Sequence, residues 1–186
     1  MKRTIFNLKC LLGSAVLLLA AGILVALAIV YSGVFDAGAD RPPYPLEHWL
    51  FSTTRRHSIE TRANGVDPPQ DLNAPERINR GALLYEEMCA HCHLRPGMEP
   101  TELNRGLNPE APLLAEWSDT PAYTFLAIKR GIRSTGMPAW GLTHEDEVIW
   151  DMVAFQRQLS NLSAAEYEAM VREAKQDDAP HSGHEH

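Results

Sequence analysis

The stretch Gly81-Ala-Leu-Leu-Tyr85-Glu-Glu-Met-Cys89-Ala-His-Cys92-His93 decides how the chain is read. Gly81, Tyr85 and Cys89 recur every four residues, so in a helix they share one side. Leu83, Leu84 and Met88 add apolar character, while Glu76, Arg77, Arg80, Glu86 and Glu87 mark exposed faces. Asn73 is a good N-cap, and Pro75 suits the first turn. The pattern predicts a helix from about Ala74 to Cys89.

That helix runs into Cys89-Ala90-His91-Cys92-His93. This is C-x-x-C-H, the attachment motif of a c-type haem. Each thiol adds across one haem vinyl group, and a two-residue gap on a helical turn suits the separation of the vinyls. His93 follows directly, so its imidazole ligates the iron from the proximal side. The competing readings are a zinc knuckle, a disulfide or a redox pair. Structural zinc usually needs a second ligand pair, and no Cys lies downstream of Cys92. A redox C-x-x-C normally sits in a βαβ pattern, which the chain lacks. The expectation is one haem c, covalently attached through Cys89 and Cys92.

Downstream, Pro121 to Arg130 reads as a second helix, with Thr120 as N-cap and Gly131 as its stop. A third opens near Thr143, where Thr143-His144-Glu145-Asp146 resembles a capping box with Asp in place of Glu. It carries Val148, Ile149, Met152, Val153 and Phe155 at helical spacing. Ser163 to Lys175 reads as a further surface helix. No convincing strand appears, so the expected class is all-α.

From Asn73 to Leu159 the chain resembles the class I cytochrome c family. Gly81 and Tyr85 look like the family's small and aromatic pair on the first helix. Met152 and Phe155 look like their partners on the last helix, where only Gly lets two backbones approach closely. Ala111-Pro112-Leu113-Leu114 resembles the family's Gly-Pro-x-Leu, with Ala in place of Gly. The resemblance implies that the Pro112 carbonyl accepts the hydrogen bond of His93 and that Leu114 packs on the haem; Pro96 is the competing proline. Met137, in Gly136-Met137-Pro138-Ala139-Trp140, lies where the family places its second axial ligand. Pro138 holds Met137 in extended backbone, and a thioether favours ferrous iron and raises the potential. The alternative is that Met137 is core filler. Met98 stands too close to His93, Met88 abuts the motif, Met152 lies on the packing face and Met170 lies beyond the last helix. The resemblance thus implies iron held by His93 and Met137, closed to substrate, and a role in single-electron transfer.

Upstream, Leu11 to Tyr31 runs without a charge. As a helix at about 1.5 Å per residue, this run matches a hydrocarbon core of about 30 Å. Lys2, Arg3 and Lys9 precede it, and Asp36 and Asp40 follow, which places the N-terminus in the cytoplasm. The haem domain is then expected on the periplasmic side of a bacterial inner membrane. Ala37-Gly38-Ala39 also fits a signal-peptide cleavage site. The run is longer than the about 7 to 15 residues of a signal core, so a retained anchor is favoured. The expected organisation is anchor 1–35, juxtamembrane linker 36–73, haem domain 74–160, and C-terminal helix with a disordered tail 161–186.

The proline-rich linker contains Leu46-Glu47-His48-Trp49-Leu50-Phe51. This segment reads either as a short interfacial helix or as side chains packed on the haem domain. His48 and His57 precede the attachment helix and are left out of the ligand set. The formal net charge of −7 argues against nucleic-acid binding, which needs excess Lys and Arg. Lys129, Arg130, Arg133 and Arg95 form a candidate docking cluster for a redox partner. The tail, with His181, His184 and His186, has metal-binding composition, although a solvated end is the simpler reading. No nucleophile–base pair marks an enzyme. Three roles stay open: a mobile electron carrier, an electron-transfer subunit of a membrane oxidoreductase, and a haem ligand sensor. The electron donor and acceptor carry no signature in the sequence.

Overall fold

The computed structural model describes residues 2–178. The chain divides into two units, Met1–Gly38 and Ala39–His186. The His-rich tail from Ala179 onward lies outside the described residues.

The first unit is helix α1, Lys2–Ser32. Within it, Lys9–Ser32 is a 24-residue run whose most apolar 18-residue window has a mean hydropathy of 2.7 and no buried residue. A helix that is apolar all round is stable only when something apolar covers it. Its length matches a bilayer core, which suggests membrane anchoring. Gly33, at φ 68°, ends the helix in the left-handed region that glycine enters without strain.

The second unit holds α2, Pro45–Ala63, and α3, Pro75–Met88. Two single-turn helices follow, α4 at Ala90–His93 and α5 at Glu102–Arg105. Then come α6, Pro121–Arg130, α7, Asp146–Gln156, and α8, Ala164–Asp178. Short 3-10 turns occur at Leu114–Glu116, Trp140–Leu142 and Leu159–Asn161. No strand occurs among the described residues.

The crossing of α3 and α7 organises this unit. A Cβ on Gly81 would run into the Asp151 carbonyl oxygen and come within 2.7 Å of Phe155 Cβ. Only glycine permits that approach. Tyr85 fills the angle beside it, its ring 5.6 Å from that of Phe155. Two apolar clusters grow from the crossing. One joins Ile149, Trp150 and Val153 of α7 to Phe125 and Ile128 of α6. The other joins Tyr85 and Phe155 to Leu159 and to Tyr167, Val171 and Ala174 of α8.

Several local expectations are corrected. α3 is capped by Ala74, with no side-chain cap bond, rather than by Asn73. Pro75 at the first helical position forces the residue before it into extended backbone, and that residue is Ala74. α7 begins at Asp146, and the Thr143 capping box is not made. The Thr143 hydroxyl instead donates to Trp140 O at 3.3 Å, closing the preceding turn. Asp146 pairs with Lys129 at 2.6 Å. The reciprocal box forms at α8. There Glu166 accepts from Ser163 N at 2.8 Å, and Glu166 N donates back to Ser163 Oγ at 3.3 Å.

α8 is also more than a surface helix, because Tyr167 is fully buried. Its hydroxyl donates to Glu86 at 2.8 Å. Arg77, read as exposed, is 5 % exposed. It donates to Asp151 at 2.7 Å and to Glu147 at 2.8 Å, and also reaches Asp71 at 3.0 Å. Arg80 Nε donates to the other oxygen of Asp151 at 2.7 Å. The partners come from α7 and from the loop before α3, so periodicity along α3 does not reveal them. Finally, the proline-rich stretch read as a spacer contains the 19-residue helix α2.

Candidate haem site

The motif is built as one continuous turn. Cys89 ends α3, with its N–H donating to Tyr85 O at 2.9 Å. α4 starts at once, and Cys92 N and His93 N both donate to Cys89 O, at 3.1 and 2.9 Å. The two thiols and the imidazole are therefore displayed from a single helical turn. Ala90, next to Cys89 in the motif, is buried in the Tyr85–Phe155 cluster. Both cysteines are free thiols and half-buried. Burial pushes the Cys89 thiol up to about 12 and moves Cys92 in the same direction. Burial thus favours the neutral thiol at both positions.

His93 is fixed by its outer ring nitrogen. Nδ1–H donates to Pro112 O at 2.8 Å, which leaves Nε2 unprotonated and free to ligate. Pro112, rather than Pro96, supplies the carbonyl at this position. Burial lowers the His93 pKa, partly offset by the bond to Pro112. The neutral imidazole that binds a metal is the favoured form.

Three contacts clamp the backbone around the motif, and none was visible in the sequence pattern. Thr101 Oγ1 donates to His91 O at 2.6 Å, and Asn104 Nδ2 donates to Cys92 O at 2.7 Å. Asn104 N in turn donates to Thr101 Oγ1 at 2.9 Å, so the N-cap of α5 serves the haem turn as well. Thr101 has the residue type of a cap, but its second partner lies ten positions back. On the exit side, Tyr85 OH donates to Leu94 O at 2.6 Å. Leu94 sits at φ 59°, a conformation that costs a non-glycine residue about 1–3 kcal/mol and needs such a tie to persist.

Leu114 begins the 3-10 turn after Pro112 and packs against the Tyr85–Phe155 cluster. Gln156 Nε2 on α7 donates to Leu114 O at 3.2 Å. Met137 lies in the loop between α6 and the Trp140 turn. Ile132 N donates to Met137 O at 3.2 Å, and Met137 N donates to Thr135 Oγ1 at 3.1 Å. Gly131, at φ 60°, opens the loop, with the Pro138 backbone packed against its Cα. The Met137 side chain is half-buried against the Phe125–Trp150 cluster. Met152 is 1 % exposed and is committed to the core.

The donor set fits a covalently bound haem: two thiols on one turn, an imidazole with its outer nitrogen tied down, and a thioether on a hydrogen-bonded loop. Among the described residues no group of three or more His, Cys, Asp or Glu is placed to hold a metal ion. Within those residues the C-x-x-C pair has no further ligands of a structural zinc site beside it. Of the four cations read as a docking cluster, two are engaged elsewhere. Lys129 pairs with Asp146 and lies 5.5 Å from the Phe125 ring. Arg95 pairs with Glu168 at 3.5 Å and lies 5.5 Å from the Tyr167 ring. Arg130 and Arg133 remain exposed.

Residues 76–155 match the family model described as cytochrome C oxidase, cbb3-type, subunit III. No curated protein and no solved structure matches the chain. The matched residues take in α3 but for Pro75, the Cys89–His93 turn, and α7 but for Gln156. With that match and this geometry, residues 76–155 are a c-type cytochrome domain, carried on a chain with an N-terminal apolar helix.

Proposed function

We propose that this chain is a membrane-anchored, single-haem cytochrome. Cys89 and Cys92 hold the haem, and His93 and Met137 ligate its iron. It passes single electrons between redox partners at the periplasmic face of a bacterial inner membrane. Residues 1–35 form the anchor, and residues 74–160 form the haem domain. The observation that carries the reading is the 2.8 Å bond from His93 Nδ1 to Pro112 O, on the turn that also presents both thiols. A histidine so oriented presents an unprotonated Nε2, the form of imidazole that a haem iron takes. The haem supplies the one-electron couple when bound. The chain's own residues attach it, orient the proximal ring and fill the other axial position.

Iron closed on both faces exchanges electrons without binding small ligands. The reduced full-length protein is therefore expected to leave its visible spectrum unchanged under carbon monoxide. Rapid, stoichiometric carbon monoxide binding contradicts the carrier reading and favours a sensor.

The second reading is that the chain is the haem c subunit of a larger membrane oxidoreductase. The description of the matching family model, a subunit of a terminal oxidase, favours it. Purification in mild detergent distinguishes the two. A carrier runs alone, and a subunit retains haem-bearing or copper-bearing partners.

A further inference from the structure

The amino-terminal half of α2 carries apolar surface that the haem domain leaves bare. Leu46, Trp49, Leu50 and Phe51 are 73 %, 60 %, 50 % and 57 % exposed. Leu46, Trp49 and Leu50 stand at i, i+3 and i+4, so they share a face. α2 has no buried residue. Its carboxy-terminal half is tied to the start of α6, where Arg56 reaches Asp119 at 3.4 Å and lies 5.9 Å from the Tyr123 ring.

Chain connectivity points to what covers the bare face. Residues 33–44 join the end of α1 to the start of α2, a tether that reaches at most about 40 Å. A bilayer that takes up α1 is thereby held near α2 at high effective concentration. The composition suits the headgroup region. Trp is enriched at that depth. The charged residues of α2 are Glu47, Glu60, Arg55, Arg56 and Arg62, and Glu60 is neutralised by Arg56 at 2.8 Å. α2 itself therefore presents no net negative charge to anionic lipid.

We infer that α2 is an interfacial helix, with Leu46, Trp49 and Leu50 seated in the headgroup region of the bilayer that α1 enters. Such a helix sets which side of the haem domain faces the membrane, because its other half is fixed to α6. The inference rests on the anchor reading of α1 and is independent of the haem ligands.

The test uses the full-length haem-loaded protein with Cys10→Ser, reconstituted in phosphatidylcholine–phosphatidylglycerol vesicles. A spin label is placed at Leu50→Cys or, as a reference, at Glu173→Cys on the exposed face of α8. Collision with oxygen and with a water-soluble nickel chelate is read by EPR. The Leu50 label is expected to favour oxygen, with nickel contact several-fold below that of the Glu173 label. Equal nickel contact at the two sites overturns the inference. So does a Leu50 label shielded from both reagents, which means that protein covers the face. Protein that fails to float with the vesicles overturns the anchor reading together with this inference. Protein that floats while the Leu50 label stays in water overturns this inference alone.

Discussion

The α3–α7 crossing and the Met137 loop belong to one domain but are held by different means. At the crossing, backbone meets backbone over Gly81, and Tyr85, Met152 and Phe155 are almost wholly excluded from water. In the loop, Gly131 and the hydrogen bonds through Ile132 and Thr135 shape a short arc whose side chains stay half-exposed. The crossing tolerates almost no change of volume. In the loop only Gly131 is held against backbone, the Met137 side chain is half-buried, and the role proposed for Met137 rests on its sulfur. Substitutions at the crossing should therefore lower stability, and substitution of Met137 should alter the electronic properties of the iron.

The largest expected effect is at Gly81. Gly81→Val places a branched side chain against the backbone of α7, which must move away, at a cost of about 4 kcal/mol or more. Denaturant titration of the haem-loaded protein should show a large fall in midpoint or no folded protein. A midpoint equal to that of the parent contradicts the close crossing.

Asp151→Ala is next. It leaves the Arg77 guanidinium buried without its nearest carboxylate, and breaking a buried pair costs about 3–5 kcal/mol. The lower end of that range is expected, because Glu147 and Asp71 still accept from Arg77. A calorimetric scan measures this loss, and a loss under about 1 kcal/mol shows that the outer carboxylates suffice.

Tyr85→Phe removes the bond to Leu94 O and leaves that carbonyl buried, at about 1–2 kcal/mol. Amide exchange around Leu94 and Arg95 should quicken in this variant, whereas an unchanged rate means the left-handed turn is held by packing alone. The smallest effect is at the start of α8. Ser163→Ala removes the N-cap, worth about 1 kcal/mol, and thermal unfolding resolves it.

The same comparison explains what could be read in advance. Gly81, Tyr85 and Phe155 were legible because helical spacing places them on facing stripes. Thr120 and Gly131 bounded α6 because caps are local signals. The C-x-x-C-H motif was legible because its chemistry needs both thiols and the imidazole on one turn. Asn104 and Thr101 were not, because they bind backbone carbonyls about ten residues back, and no periodicity records such a contact. Arg77 read as exposed because its partner Asp151 lies on another helix. The N-cap of α3 was misplaced by one residue because Pro75 restricts its predecessor more strongly than Asn73 attracts a cap. The exposed half of α2 was visible as a cluster of aromatic and aliphatic residues, yet spacing alone left open whether it faced protein or lipid.

The central claim is that Met137 completes the iron's ligand set. The most direct measurement is spectroelectrochemistry of the full-length haem-loaded protein with Met137→Ala, beside Met98→Ala as a control. Loss of the thioether should lower the reduction potential by on the order of 0.2 V, within the about 0.8 V that axial ligands command. It should also abolish the far-red Met–iron band, while Met98→Ala keeps both. A Met137→Ala protein that retains the parent potential and the far-red band contradicts the account.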